Sequence, residues 1–187
     1  MADIALKDAF SQNAQRVGAT VFHATSPGEA REYIQRHSRG RIAMAPSTSL
    51  HKMGLAADLR RAGCDLVTED LRAHAPYAAA GLSGANFAIA DTGTLVLEST
   101  AEATRLATTL PERHFALLDP RKIVADGLAA VPLVRRLQQQ NPRSFLAYIS
   151  GPSRTADIER VLTIGVHGPC ELHILLLDGL SDDPLEN

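Results

Sequence analysis

Apolar positions along the chain fall into two rhythms. Leu6, Phe10, Ala14 and Val17 recur at helical spacing and line one face. ATVFHA (19–24) then reads as a short strand. Ser26-Pro27-Gly28-Glu29 opens a second helix, with Ser26 as cap, Pro27 in the first helical position and Glu29 reaching back toward the cap's amide. Ala30, Tyr33 and Ile34 supply its inner face. RIAMAP (41–46) is another strand closed by a proline, SLHKMGLAADLRRAG (49–63) is helical in its second half, and CDLVTE (64–69) is a third strand. Residues 70–80 connect without a clear pattern.

Downstream, FAIA (87–90) and TLVLE (94–98) are two strand-like runs around the polar turn Asp91-Thr92-Gly93-Thr94, which predicts a hairpin. Ser99-x-x-Glu102 has the form of a capping box ahead of AEATRLATT (101–109), a segment that Pro111 ends. HFALLD (114–119) is a strongly apolar strand, and residues 122–140 carry a helical pattern that Pro132 is expected to kink or divide. SFLAYIS (144–150), a short helix from Thr155 and the strand ELHILLLD (171–178) follow, and the polar tail SDDPLEN (181–187) is expected to fray. Continuous apolar strands alternating with helices predict a mostly parallel sheet covered on both faces. With no linker, repeat or low-complexity stretch, residues 1–180 read as a single three-layer α/β domain.

Composition narrows the possibilities. The 187 residues are 45% hydrophobic and 21% charged, which suits a globular core, yet only 4% are aromatic and none is Trp. Leu, Ile, Val and Ala must therefore fill the interior. A net charge of −2 and the lack of interleaved aromatics argue against nucleic-acid binding. No apolar run approaches the ~18 residues of a membrane span, and MADIALKDAFSQ lacks the apolar region of a signal peptide, so a cytoplasmic location is expected. Cys64 and Cys170 show no metal or redox spacing and are expected to be a buried, reduced pair. Two thiols cannot supply the four thiolates usual for an iron–sulfur cluster, so no cofactor is expected in this chain.

Three polar clusters stand at the ends of apolar strands, where open α/β sheets place ligands. In Asp91-Thr92-Gly93-Thr94, the glycine permits a tight turn while the Asp and Thr side chains either satisfy the turn's own backbone or face a ligand. Glu98, at the end of the second hairpin arm, is either a solvated carboxylate or, beside a buried strand, a base or nucleophile. In SGPSRTADIE (150–159), the amides of Ser150 and Gly151, the hydroxyls of Ser153 and Thr155 and the Arg154 guanidinium can converge on an anion. Alternatively Thr155 caps a helix and Arg154 pairs with Asp157. In GVHGPCELH (165–173), His167 sits between glycines on a loop and is the better candidate for acid–base or ligand duty, whereas His173, inside a strand, reads as a core residue. A metal triad of His167, Glu171 and His173 matches no established zinc spacing, and no metal is expected. Dinucleotide, serine-hydrolase and zinc-protease motifs are missing.

Taken in order, GLSGANFAIADTGTLVLES (81–99), Arg105, LPERH (110–114), SGPSRTADIE and GVHGPCELHILLLD (165–178) resemble the lactate-utilisation protein C family, whose fold unit is the LUD domain. The resemblance implies a fold similar to the sugar-phosphate isomerase and coenzyme A transferase superfamily. It also implies a role in oxidation of L-lactate to pyruvate as an accessory or substrate-binding subunit, with iron–sulfur clusters carried by partner proteins. It favours a shared pocket of Asp91 to Thr94, the 150–155 loop and His167, with Arg105 or Arg154 taking a small carboxylate bidentately. A second reading is a small-molecule transferase or ligase, with Glu98 attacking an acyl thioester or the glycine-bearing loops holding a phosphate or nucleotide. A third is a pure interaction module whose hairpin or sheet edge docks a partner strand.

Overall fold

The computed structural model describes residues 4–141, 143–155 and 163–187. Its helices and strands, in chain order, are α1 (Ile4–Arg16), β1 (Thr20–Ala24), α2 (Pro27–Ser38), β2 (Ile42–Met44), α3 (Thr48–Lys52), α4 (Leu55–Arg61), β3 (Leu66–Val67), α5 (Leu71–His74), β4 (Ala80–Gly84), β5 (Phe87–Ile89), β6 (Thr94–Glu98), α6 (Glu102–Thr109), β7 (Arg113–Leu118), β8 (Ile123–Val124), α7 (Gly127–Gln140), β9 (Leu146–Ile149), β10 (Arg154–Thr155), β11 (Thr163–Ile164) and β12 (Glu171–Leu177). Six strands form a sheet in the order β1-β12-β7-β4-β2-β3, and every neighbouring pair in it is parallel. A second sheet runs β8-β5-β6-β9, parallel between β8 and β5 and antiparallel elsewhere. β10 and β11 pair antiparallel.

Strand alternation divides the core. On β7, Phe115 and Leu117 pack with Ile34 of α2, Leu50 of α3 and Leu59 of α4. Ala116 and Leu118 face the other way, against Phe10 and Ala14 of α1 and Leu95 and Leu97 of β6. The outer face of the four-stranded sheet, with Phe87, Ile89 and Val96, is covered by Ala130 and Leu137 of α7. Helices, parallel sheet and a layer holding the smaller sheet are thus stacked in one α/β domain, as the alternation of strands and helices predicts. Phe115 is fully buried, and its truncation to Ala would cost about 3–5 kcal/mol.

Several local expectations change. The central strand β4 is missed because Ala80-Gly81-Leu82-Ser83-Gly84 contains no β-branched residue. Its composition has a packing cause: a Cβ on Gly81 would lie 1.7 Å from the Ala107 carbonyl oxygen of α6. Residues 49–63 are helical in both halves, as α3 and α4. Ser26 caps α2 as expected, accepting from Glu29 N at 3.3 Å, while the Glu29 carboxylate accepts from Thr25 N at 2.8 Å. Ser99 is not a cap; its hydroxyl donates to the Phe145 carbonyl, and α6 begins without a side-chain cap. The pattern over 122–140 splits into β8 and α7, the latter capped by Asp126. Pro132 lies inside an undivided helix. The carbonyl that loses its donor is that of Leu128, an exposed residue on the helix's outer side, where water can serve instead.

The tail that composition marks as fraying is tied down. Ser181 N donates to Asp119 Oδ2 at 3.1 Å, and Ser47 and Ser49 both donate to the Asn187 main-chain oxygen. Nor are the cysteines a buried pair: both thiols are free, Cys64 half-buried and Cys170 exposed on the loop leading into β12. The helix expected after Thr155 falls on residues outside the described ones, as does Asp157; Thr155 itself belongs to β10. Among the described residues no helix is long and apolar enough to cross a membrane.

Candidate functional site

A cleft of about 350 Å³ opens at the amino edge of the parallel sheet, beside the end of β9. Its walls include the 150–154 loop, His167 and Gly168, the end of α6 at Thr108 and Thr109, and, from the strand starts, His114 and Leu172. Glycines let these loops close on one another. Gly151 (φ 80°) passes the end of α1 so closely that a Cβ would lie 2.1 Å from the Val17 carbonyl oxygen. Ser153 N donates to the Pro169 carbonyl and Gly165 N to the Ser153 carbonyl, each at 2.9 Å, which brings the exposed His167 beside Ser153.

The polar turn both turns the hairpin and joins this neighbourhood. Gly93 (φ 63°) sits against α1, where a Cβ would lie 2.2 Å from Ala14 N. Thr94 Oγ1 donates to Thr92 Oγ1 and shares a hydrogen bond with Ser150 Oγ, both at 2.8 Å. The turn therefore touches the cleft through Ser150 without lining it, and the exposed Asp91 side chain takes no part in that hydroxyl chain.

Arg154 lines the cleft, but one of its terminal nitrogens donates to the Val17 carbonyl at 2.5 Å, closing the carboxyl end of α1. Part of the cation expected for an anion is thus already committed. Two further candidates are not brought to the cleft. Arg105 lies outside the cleft and donates to the carbonyls of Ser99 and Thr100, both at 2.6 Å. Glu98 also lies outside, accepting from Thr100 N at 3.1 Å. It lies four positions along β6 from Thr94, a span of about 13 Å.

His173 is a core residue, as expected. Its Nδ1 shares a hydrogen bond with Tyr33 Oη at 2.9 Å, its Nε2 lies 3.1 Å from Glu171, and burial lowers its pKa. Glu171 is held bidentately by Arg113 on the neighbouring strand, which pulls its pKa down to about 2. With those oxygens committed, the His167–Glu171–His173 triad does not form, and among the described residues no cluster suits a metal ion.

Two buried groups escape sequence reasoning. At the cleft, His114 Nε2 shares a 2.8 Å hydrogen bond with Ser83 Oγ of β4, and complete burial lowers the imidazole's pKa to about 4. A neutral imidazole thus stands among the hydroxyls of Ser150 and Ser153, the His167 ring and the Arg154 guanidinium, a set suited to hydrogen-bonding a small polar anion. The signal was a lone histidine opening the apolar run HFALL. At the opposite edge of the sheet, Lys122 is 2% exposed, and its ammonium meets two main-chain oxygens rather than a carboxylate: Glu186 O at 2.5 Å and Ala85 O at 3.4 Å. Burial lowers its pKa to about 8. Its signal was the charged pair Arg121-Lys122 directly behind a buried strand.

Residues 7–177 match the model of the LUD domain. The chain is 29% identical over 185 residues to lactate utilization protein C of Anoxybacillus flavithermus, covering 92% of this chain and 80% of that protein. It is 30% identical over 183 residues to the uncharacterized protein YkgG of Escherichia coli, covering 91% and 79%. A shorter match, 41% identical over 109 residues, joins it to an uncharacterized protein of Neisseria meningitidis serogroup B, covering 57% of this chain and 46% of that protein. Among solved structures, a DUF162 family protein of Deinococcus radiodurans superposes with a TM-score of 0.67 at 22% identity, covering 92% of this chain and 96% of that one. That likeness concerns the fold; the match of nearly the whole sequence to one domain model decides the family, and the chain belongs to the LUD domain family.

Proposed function

We propose that the chain serves lactate utilisation as an accessory or substrate-binding subunit of an L-lactate oxidation system in the cytoplasm, whose iron–sulfur clusters reside in partner proteins. The observation that carries this reading is its near full-length similarity to a lactate utilization protein C. Two supports come from the chain itself. The electrons released as lactate becomes pyruvate need an acceptor, and two separated thiols do not make a four-thiolate cluster site. The cleft offers His167, Ser153 and Arg154 to a small carboxylate.

The test is affinity purification of the tagged chain from its native lysate, with the recovered material assayed for iron and for lactate-dependent dye reduction. Co-purified iron–sulfur protein with lactate-dependent reduction is the expected result, and exchanging Ser153 and His167 for Ala should weaken it. Recovery of the chain alone, free of iron and inactive with lactate, would overturn the proposal.

A further inference from the structure

The carboxyl edge of the parallel sheet, where open α/β folds hold ligands, is filled by the chain's own residues 181–187. Three donors meet there on one oxygen: Ser47 Oγ at 2.6 Å, Ser49 Oγ at 2.7 Å and Ser49 N at 3.1 Å all point at the Asn187 main-chain oxygen. Beside it the Lys122 ammonium donates to Glu186 O. Gly84, at the end of β4, leaves the room, since a Cβ there would lie 2.4 Å from the Asn187 carbonyl carbon and 2.8 Å from Ser47 Oγ. Buried Asn86 closes the wall, its amide donating to the Pro184 carbonyl at 3.0 Å.

The direct acceptors of the buried Lys122 ammonium are main-chain oxygens, while the carboxylates of Asp119 and Glu186 act on it without a hydrogen bond, so a directly bound anion would offset its lost hydration better. We propose that Ser47, Ser49 and Lys122 form a binding site for a small carboxylate, which residues 186–187 close by occupying it with main-chain oxygens. One carboxylate supplies the acceptor sites for both hydroxyls and one charge to match the one ammonium. A phosphate dianion would carry charge that this donor set does not balance. The closing segment is tied down by contacts of unequal strength. It follows Gly179 (φ 82°), and part of its hold is through the ion pairs Arg121–Asp182 at 2.9 Å and Lys52–Glu186 at 2.5 Å, whose acidic or basic partner is well exposed in each case. Such pairs are individually weak.

The site is independent of the lactate reading, because any small carboxylate would satisfy it. The test titrates acetate, L-lactate and pyruvate into the intact chain and into a chain lacking residues 181–187, by calorimetry. At least one probe should bind the shortened chain about tenfold more tightly than the intact one, since closure taxes affinity. Lys122→Met or Ser49→Ala in the shortened chain should abolish that binding. A folded shortened chain that binds none of the three, or binds them equally well after Lys122→Met, overturns the proposal. If the shortened chain does not fold, the intact protein is titrated with acetate while the Glu186 and Asn187 amide resonances are followed. Saturable displacement of both supports the site, and unmoved resonances overturn it. Binding of acetate would sustain this site even if no iron–sulfur partner co-purifies.

Discussion

Ser83 and His114 meet across adjacent parallel strands, hydroxyl to imidazole at 2.8 Å, with each residue only 1% exposed. Each satisfies the other in a place where an unpaired polar group would be costly. The pair also fixes a charge state, because the buried ring has no carboxylate to support a second proton.

That charge state makes stability depend on pH. The folded pKa of His114, about 4, lies below its ordinary value of 6.5. The unfolded chain therefore binds more protons between these values, and stability present above pH 6.5 is lost as pH falls toward 4. Between pH 7 and pH 5 this one group should cost about 2 kcal/mol. Urea denaturation at both pH values should show a smaller difference in the double variant Ser83→Ala, His114→Leu than in the unmodified chain.

Glycines provide a contrast. Gly93→Ala forces a side chain into a left-handed conformation and onto the backbone of α1, so it should destabilise by about 2 kcal/mol or more. Gly127→Ala, at the first position of α7 with nothing within 4 Å, should stabilise by about 0.5 kcal/mol. Denaturant midpoints of the two variants should move in opposite directions.

Arg105 acts on the backbone, bridging the carbonyls of Ser99 and Thr100 ahead of α6. Arg105→Met should lower stability by about 1–2 kcal/mol while leaving any affinity for a small carboxylate unchanged. Thermal melting and calorimetric titration of the same variant check both halves. A loss of affinity in a fully stable variant would return Arg105 to the site.

The Arg113–Glu171 pair spans the starts of β7 and β12. Because Glu171 titrates near 2 in the folded chain, below its ordinary 4.5, the stability it adds is present above pH 4.5 and is lost as pH falls toward 2. Arg113→Met removes the largest cause of that shift. Carboxyl-carbon NMR titration should then find Glu171 moved up toward its ordinary value.

What could be read from the chain is what local chemistry decides. Ser26 and Glu29 cap a helix with groups a few residues apart, and two apolar runs around Gly93 make a hairpin wherever they lie. β4 was illegible because its glycine answers to α6, a neighbour that only the fold supplies. The same limit governs the arginines. Arg105 and Arg154 read as anion ligands, yet both serve main-chain carbonyls, and the guanidinium is the same in either role. Ser83 and His114 are separated by a helix and the hairpin, so their pairing follows from strand order alone. Ser99 matched a capping box but gives its hydroxyl to the carbonyl of Phe145, distant in sequence and just ahead of β9.

The position of β12 sets the timing of the whole assembly. It lies between β1 and β7, and β1 has no other neighbour in the six-stranded sheet. During synthesis β7, β4, β2 and β3 can pair before β12 is made, but β1 must wait, edge exposed, for that later strand. Such long-range closure is slow and leaves an unpaired strand open to wrong partners. Cutting β12 away should therefore strip β1 of its partner in the sheet while leaving β4, β2 and β3 paired.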